Sequence, residues 1–142
     1  MNCRISTSLL SRLDRHVRDC REEICGLLLG TSDRIIHAIP ALNVAEQPRR
    51  AFEIPPEDLF RSSRTARFAG LRLLGHYHSH PSGCARPSTE DADRAAVEGV
   101  YWLILSRGEQ RLWISRKGGG ELGAFDPIAL QPVGAQANRS RG

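Results

Sequence analysis

Three of the five histidines, His76, His78 and His80, fall within five residues and alternate with Tyr77 and Ser79. On a strand that alternation puts all three on one face, with neighbouring members roughly 6.6 Å apart at the backbone, near enough for two imidazoles to converge on one zinc at about 2.0–2.1 Å. Pro81 ends the strand and Ser82-Gly83 turns the chain. The next stretch is Pro87-Ser88-Thr89-Glu90-Asp91, in which Ser88 suits a helix N-cap and Asp91 falls in the first turn. Taken singly, a Ser-x-x-Asp sequence is a capping box and a histidine pair is a polar strand end. Taken together, a strand end and a helix start can bring two imidazoles and one carboxylate to one point. Three protein ligands with one position left for water is the donor set of a catalytic zinc site.

The elements that must position these residues can be read from the pattern. Leu9 or Leu10, Leu13, Val17 and Cys20 recur every three or four residues behind Ser6, Thr7 and Ser8, any of which can cap, predicting an amphipathic helix from Ser8 to about Asp19. Two apolar runs, Ile24 to Leu29 and Ile35 to Leu42, flank Gly30-Thr31-Ser32-Asp33 and predict a hairpin of buried strands. Asn43 to Arg50 is mostly polar and ends the second strand. Pro55-Pro56-Glu57-Asp58 then opens a helix to about Ala69, stopped by Gly70. A strand over Leu71–Tyr77, a helix from Ser88 to about Glu98 and a hairpin of Tyr101–Ser106 with Arg111–Arg116 follow, and a last short strand covers Glu121–Phe125. This order predicts an α/β fold: a single layered domain with a mixed central β-sheet flanked by helices. The domain is expected over 1–126, and 127–142, which loses periodicity, as a mobile tail.

Composition narrows the function classes. With 40% hydrophobic and 25% charged residues in 142, the chain can bury one core without staples or repeats. Nineteen of its 20 basic residues are arginine, but they are scattered and not interleaved with aromatics, so nucleic-acid binding is not expected. Arg4, Arg12, Asp14 and Arg15 interrupt the N-terminus before any signal-peptide core can form, and no apolar run approaches the roughly 20 residues that span a bilayer. Four irregularly spaced cysteines without a CxxC pair exclude a zinc ribbon and suit reduced thiols in the cytoplasm. Gly118-Gly119-Gly120 lacks the Gly-Lys-Ser/Thr ending of a phosphate-binding loop. An HExxH helix and the H-x-E with P-C-x-x-C of zinc deaminases are also missing.

His78-Ser79-His80-Pro81, six residues, then Ser88-Thr89-Glu90-Asp91 resembles the HxHPx6SxxD motif of JAMM/MPN+ metallopeptidases, and Glu23-Ile24-Cys25-Gly26 resembles that family's early ExxG segment. The resemblance covers Ser8 to about Phe125 and is similar to the short, single-domain bacterial members. It implies the JAMM/MPN fold, which is cytidine-deaminase-like, and one Zn2+ per chain held by His78, His80 and Asp91 with water in the fourth position. It further implies that Glu23 takes the water's proton and returns it to the leaving amine, and that Ser88 donates to the developing oxyanion. Glu22 is the competing base, but only Glu23 has glycine three residues on, and period-two alternation puts Glu22 on the other face.

The implied activity is hydrolysis of peptide or isopeptide bonds, with a ubiquitin-like or sulfur-carrier protein bearing a C-terminal Gly-Gly tail as substrate. An open sheet edge would suit such a tail, because an extended chain can add main-chain hydrogen bonds there. The alternative within the same fold is a non-catalytic MPN scaffold, which typically lacks one or more ligands. His76 stands as a group behind the ligands, a substrate contact or an ordinary partly buried histidine. Cys84, in the loop between ligands, either reaches the metal or is inert. Oligomeric state is not legible.

Overall fold

The computed structural model describes residues 1–81 and 83–134. Seven strands and three helices follow in the order β1 (Asn2–Ser6), α1 (Thr7–Asp19), β2 (Cys25–Thr31), β3 (Arg34–Ala41), α2 (Pro56–Phe68), β4 (Arg72–Ser79), α3 (Thr89–Arg94), β5 (Tyr101–Ser106), β6 (Glu109–Ser115) and β7 (Phe125–Val133). The strands form one mixed sheet in the order β1-β3-β2-β4-β5-β6-β7, and it closes on itself where β1 pairs in parallel with β7.

Helix α1 forms for the reason its spacing gives: Leu9, Leu13 and Val17 are its buried residues, and the Ser6 hydroxyl accepts the Leu9 N–H. Those side chains join Cys3, Ile5, Leu28, Tyr77, Leu103, Leu105 and Ile128 in the largest apolar cluster. Strand β5 is buried on both faces: Tyr101, Leu103 and Leu105 face that cluster, and Trp102 and Ile104 face a second one with Cys25, Phe52, Ala85, Trp113 and Phe125. Helix α2 covers Leu27 and Leu29 through Ala66. The second cluster underlies the histidines.

Four sequence expectations are corrected. Strand β1 has no counterpart among the sequence expectations, because five residues with only Cys3 and Ile5 turned inward carry little pattern. The last strand is not Glu121–Phe125, which contributes an isolated bridge, but β7, paired to β6 and β1. The tail therefore does not start at Pro127; Pro127 and Pro132 lie within β7, and the expectation for 135–142 falls outside the described residues. Helix α3 stops at Arg94 instead of near Glu98: the Ala95 N–H turns to the Ala92 carbonyl and the Ala96 N–H to the Arg94 carbonyl, so the helical ladder ends there. The sheet closes, yet β1 pairs with β3 only at Arg34 and Ile35, so 36–41 of β3 has no strand partner on that side among the described residues. No described helix is long and apolar enough to cross a membrane.

Candidate metal centre and active site

Strand β4 runs to Ser79, two residues beyond its expected end, and carries His76 and His78 on one face with His80 just past its end. Its neighbours set its position. Tyr77, on the opposite face, lies against Gly26 of β2, where a Cβ would stand 2.3 Å from the Ile39 carbonyl oxygen and from the Tyr77 ring. The glycine of the Glu23-x-x-Gly26 segment is thus required by close packing of β2 between β3 and β4. Between the two ligand-bearing motifs, the chain at 83–88 is fastened at Ala85, whose N–H donates to Glu109 Oε1 and whose carbonyl accepts from Trp113 Nε1.

His78, His80 and Asp91 each offer one ligand atom, and these atoms lie within 4.8 Å of one another. His78 Nε2 stands 3.2 Å from His80 Nε2 and 3.4 Å from Asp91 Oδ2, and His80 Nε2 stands 3.2 Å from that same Oδ2. Ligands of a tetrahedral zinc at about 2.0–2.1 Å are separated by roughly 3.3 Å, so the three atoms already have the spacing of three corners of that tetrahedron. The donor set, two imidazoles and a carboxylate, is one that zinc takes. The group can hold a metal ion.

Each ligand is aimed by a second contact. His80 Nδ1 pairs with the Cys84 carbonyl at 3.0 Å, which holds the proton on that nitrogen and leaves Nε2 free to ligate. Neither sequence alternative for Cys84 captures this: its backbone orients a ligand while its thiol is exposed. Asp91 is gripped by a complete capping box, Ser88 Oγ accepting the Asp91 N–H at 3.1 Å and the Ser88 N–H donating to Asp91 Oδ2 at 2.9 Å. The capping and ligand readings of this motif are therefore one arrangement. His78 is fully buried and stacks on Phe52, with ring centroids 4.2 Å apart and planes 15° from parallel. His76 does not join the ligands: its ring meets the Trp102 edge at 4.3 Å and its buried Nδ1 has no partner.

Glu23 lies two residues before the start of β2 and is buried, whereas Glu22 is exposed. The glutamate shares a cleft of about 380 Å³ with His80, Ser88, Asp91 and the arginine-bearing lip Arg49–Phe52. Its backbone is held from two sides. Its own N–H donates to the Pro48 carbonyl at 2.7 Å, and the adjacent Ile24 N–H donates to Ser79 Oγ at 2.9 Å. Burial pushes the Glu23 carboxyl up to about 7, against the pull of His80. Burial would raise Asp91 too, but the imidazoles and the Ser88 N–H outweigh it and hold that carboxyl far below the usual range. Burial lowers His78; at His80 the same effect is overcome by Asp91 and the Cys84 carbonyl, which raise it.

A closed mixed sheet with a His-x-His strand end, a Ser-x-x-Asp helix start and a buried glutamate around one cleft defines a JAB1/MPN-type domain. Residues 6–116 match the family of prokaryotic homologs of the JAB domain, and the chain belongs to that family. It is 41% identical over 86 residues to the desampylase of Haloferax volcanii, covering 59% of this chain and 62% of the relative, and so spans less than two thirds of that protein's length. It is 30% identical over 116 residues to a probable TtuB-protein conjugate cleaving protease of Thermus thermophilus, covering 75% and 78%. Of solved structures, protein DSY2949 from Desulfitobacterium hafniense superposes with a TM-score of 0.75 at 25% identity, covering 94% of this chain and 96% of that one. AF2198, a JAB1/MPN domain protein from Archaeoglobus fulgidus, shares the fold with a TM-score of 0.60 at 20% identity, covering 93% and 98%.

Proposed function

We propose that the protein is a zinc-dependent metallopeptidase hydrolysing peptide or isopeptide bonds after the C-terminal Gly-Gly of a ubiquitin-like or sulfur-carrier protein, in the cytoplasm. The observation that carries the reading is the convergence of His78 Nε2, His80 Nε2 and Asp91 Oδ2 at separations of 3.2 to 3.4 Å in one cleft with the buried Glu23. A scaffold would have no need to hold three donors at ligand spacing. The names of the Haloferax and Thermus relatives support conjugates of small protein modifiers as the substrate class.

Zinc, when bound, would lower the pKa of a water and polarise the scissile carbonyl. His78, His80 and Asp91 would hold it, each fixed beforehand by the stacking, carbonyl and capping contacts described above. Glu23 takes a proton from the attacking water and gives it to the leaving amine; its burial, which raises the carboxyl, favours acceptance of that proton. Ser88 Oγ already accepts the Asp91 N–H, so its own proton is free to donate to the carbonyl oxygen as charge builds there. The tail enters the cleft between the 49–52 lip and the start of α3, where two glycines without Cβ atoms make a slim occupant.

The test is intact-mass analysis of a carrier extended beyond Gly-Gly, beside a variant ending in Ala-Ala. Cleavage only after Gly-Gly is expected. Equal cleavage of both would leave a general peptidase, and no cleavage by the zinc-loaded protein would favour the scaffold.

A further inference from the structure

The segment between β3 and α2 turns back over the cleft, and one half-buried side chain at its neck, Asn43, ties it together. Asn43 Nδ2 donates to the carbonyls of Glu23 at 2.9 Å, Ala51 at 2.9 Å and Pro48 at 3.3 Å. Its Oδ1 accepts the N–H groups of Ala45 at 3.0 Å and Glu53 at 3.1 Å. The partners are thus the residue carrying the buried carboxyl, Ala45 and Pro48 of the segment leading to the lip, and both neighbours of Phe52. Phe52 in turn stacks on His78, and Arg94, the last residue of α3, donates to the Phe52 carbonyl.

A carboxamide is the side chain of this length that both donates and accepts. Aspartate would set an acceptor against three carbonyl oxygens, and alanine would leave the Glu23 and Ala51 carbonyls and the Glu53 N–H without this partner. From these contacts we propose that Asn43 is a positioning residue: it fixes the Glu23 backbone and the Phe52 wall in one frame, so that the base and the ring against His78 keep their relative place. The proposal rests on the metallopeptidase reading above for its kinetic consequence. Its structural part stands independently of turnover.

The test uses the full chain loaded with zinc, comparing Asn43→Ala and Asn43→Asp with the parent on a Gly-Gly-linked fusion, and each again in the Glu23→Gln background. Because a displacement of about 1 Å at a reacting group can cost on the order of 10²-fold, kcat should fall about 10- to 100-fold with KM within about threefold and zinc still bound. If Asn43 acts through Glu23, the loss should largely vanish in the Glu23→Gln background; additive losses in the two backgrounds overturn the proposal. Amide hydrogen exchange on the parent and Asn43→Ala supplies the readout without substrate: faster exchange across 43–53 and at Glu23, with β4 and β5 unchanged, is expected. Unchanged exchange there overturns it even if no substrate is cleaved. Should Asn43→Ala not fold, the isosteric Asn43→Asp carries the same comparisons. Full turnover by Glu23→Gln would count against the metallopeptidase reading instead, and the exchange result would then decide on Asn43.

Discussion

The Ser79 hydroxyl accepts the buried Ile24 N–H at 2.9 Å, while the Ser79 N–H donates to the Ile24 carbonyl at 3.1 Å. A residue between the two candidate ligands on the His-x-His strand thereby grips the residue next to the candidate base. The middle position of the motif is a clamp between its two halves, 55 residues apart in sequence.

Ser79→Ala should keep the fold but leave the Ile24 N–H without an acceptor. An unsatisfied buried donor costs about 1–3 kcal/mol, which should appear as a lower urea midpoint with an unchanged slope. Turnover should fall with it while zinc content holds. An unchanged midpoint would show that the clamp contributes nothing.

Zinc content separates the ligands from their neighbour. The purified protein should carry one zinc per chain by elemental analysis, and His78→Ala and Asp91→Ala should lose it. His76→Ala should retain it, because its ring packs on Trp102 and Phe52 outside the donor group. Full zinc in either of the first two variants would make the assigned ligand set wrong.

Much of this site was legible because its signal is local. The spacing of His78, His80, Ser88 and Asp91 is set by one strand end, one turn and one helix start, and each has a sequence signature. Leu9, Leu13 and Val17 announced α1 in the same way. What escaped notice depends on partners remote in the chain. Asn43 looks like any polar residue ending a strand, Phe52 like any loop aromatic, and the useful atom of Cys84 is a carbonyl that every residue possesses. Strand β7 was hidden because Pro127 and Pro132 count against a strand, although pairing on both sides with β6 and β1 overrides that preference.

Half-buried His76, whose Nδ1 is enclosed, gives a pH signature that can be isolated by difference. Desolvation lowers its pKa to about 3 in the folded chain, against about 6.5 when unfolded. The unfolded state thus binds the extra proton between these values, so the contribution to stability is complete above about 6.5 and shrinks as the pH falls. Relative to His76→Phe, which cannot titrate, the chelator-treated parent should lose roughly 2–3 kcal/mol between pH 7 and pH 4.5. Parallel stability curves for the two proteins over that range would show that His76 is accessible to protons when folded.

The most direct measurement is turnover of a Gly-Gly-linked carrier fusion by Glu23→Gln, with zinc stoichiometry determined on the same sample. The amide can occupy the place of the carboxylate but cannot take a proton, so zinc should stay at the parent level while turnover falls roughly 10²- to 10⁴-fold. Glu22→Gln, altering the exposed neighbour, should remain close to the parent. A zinc-loaded Glu23→Gln protein turning over within about threefold of the parent would contradict the account, because the proton transfers assigned to Glu23 would then belong elsewhere.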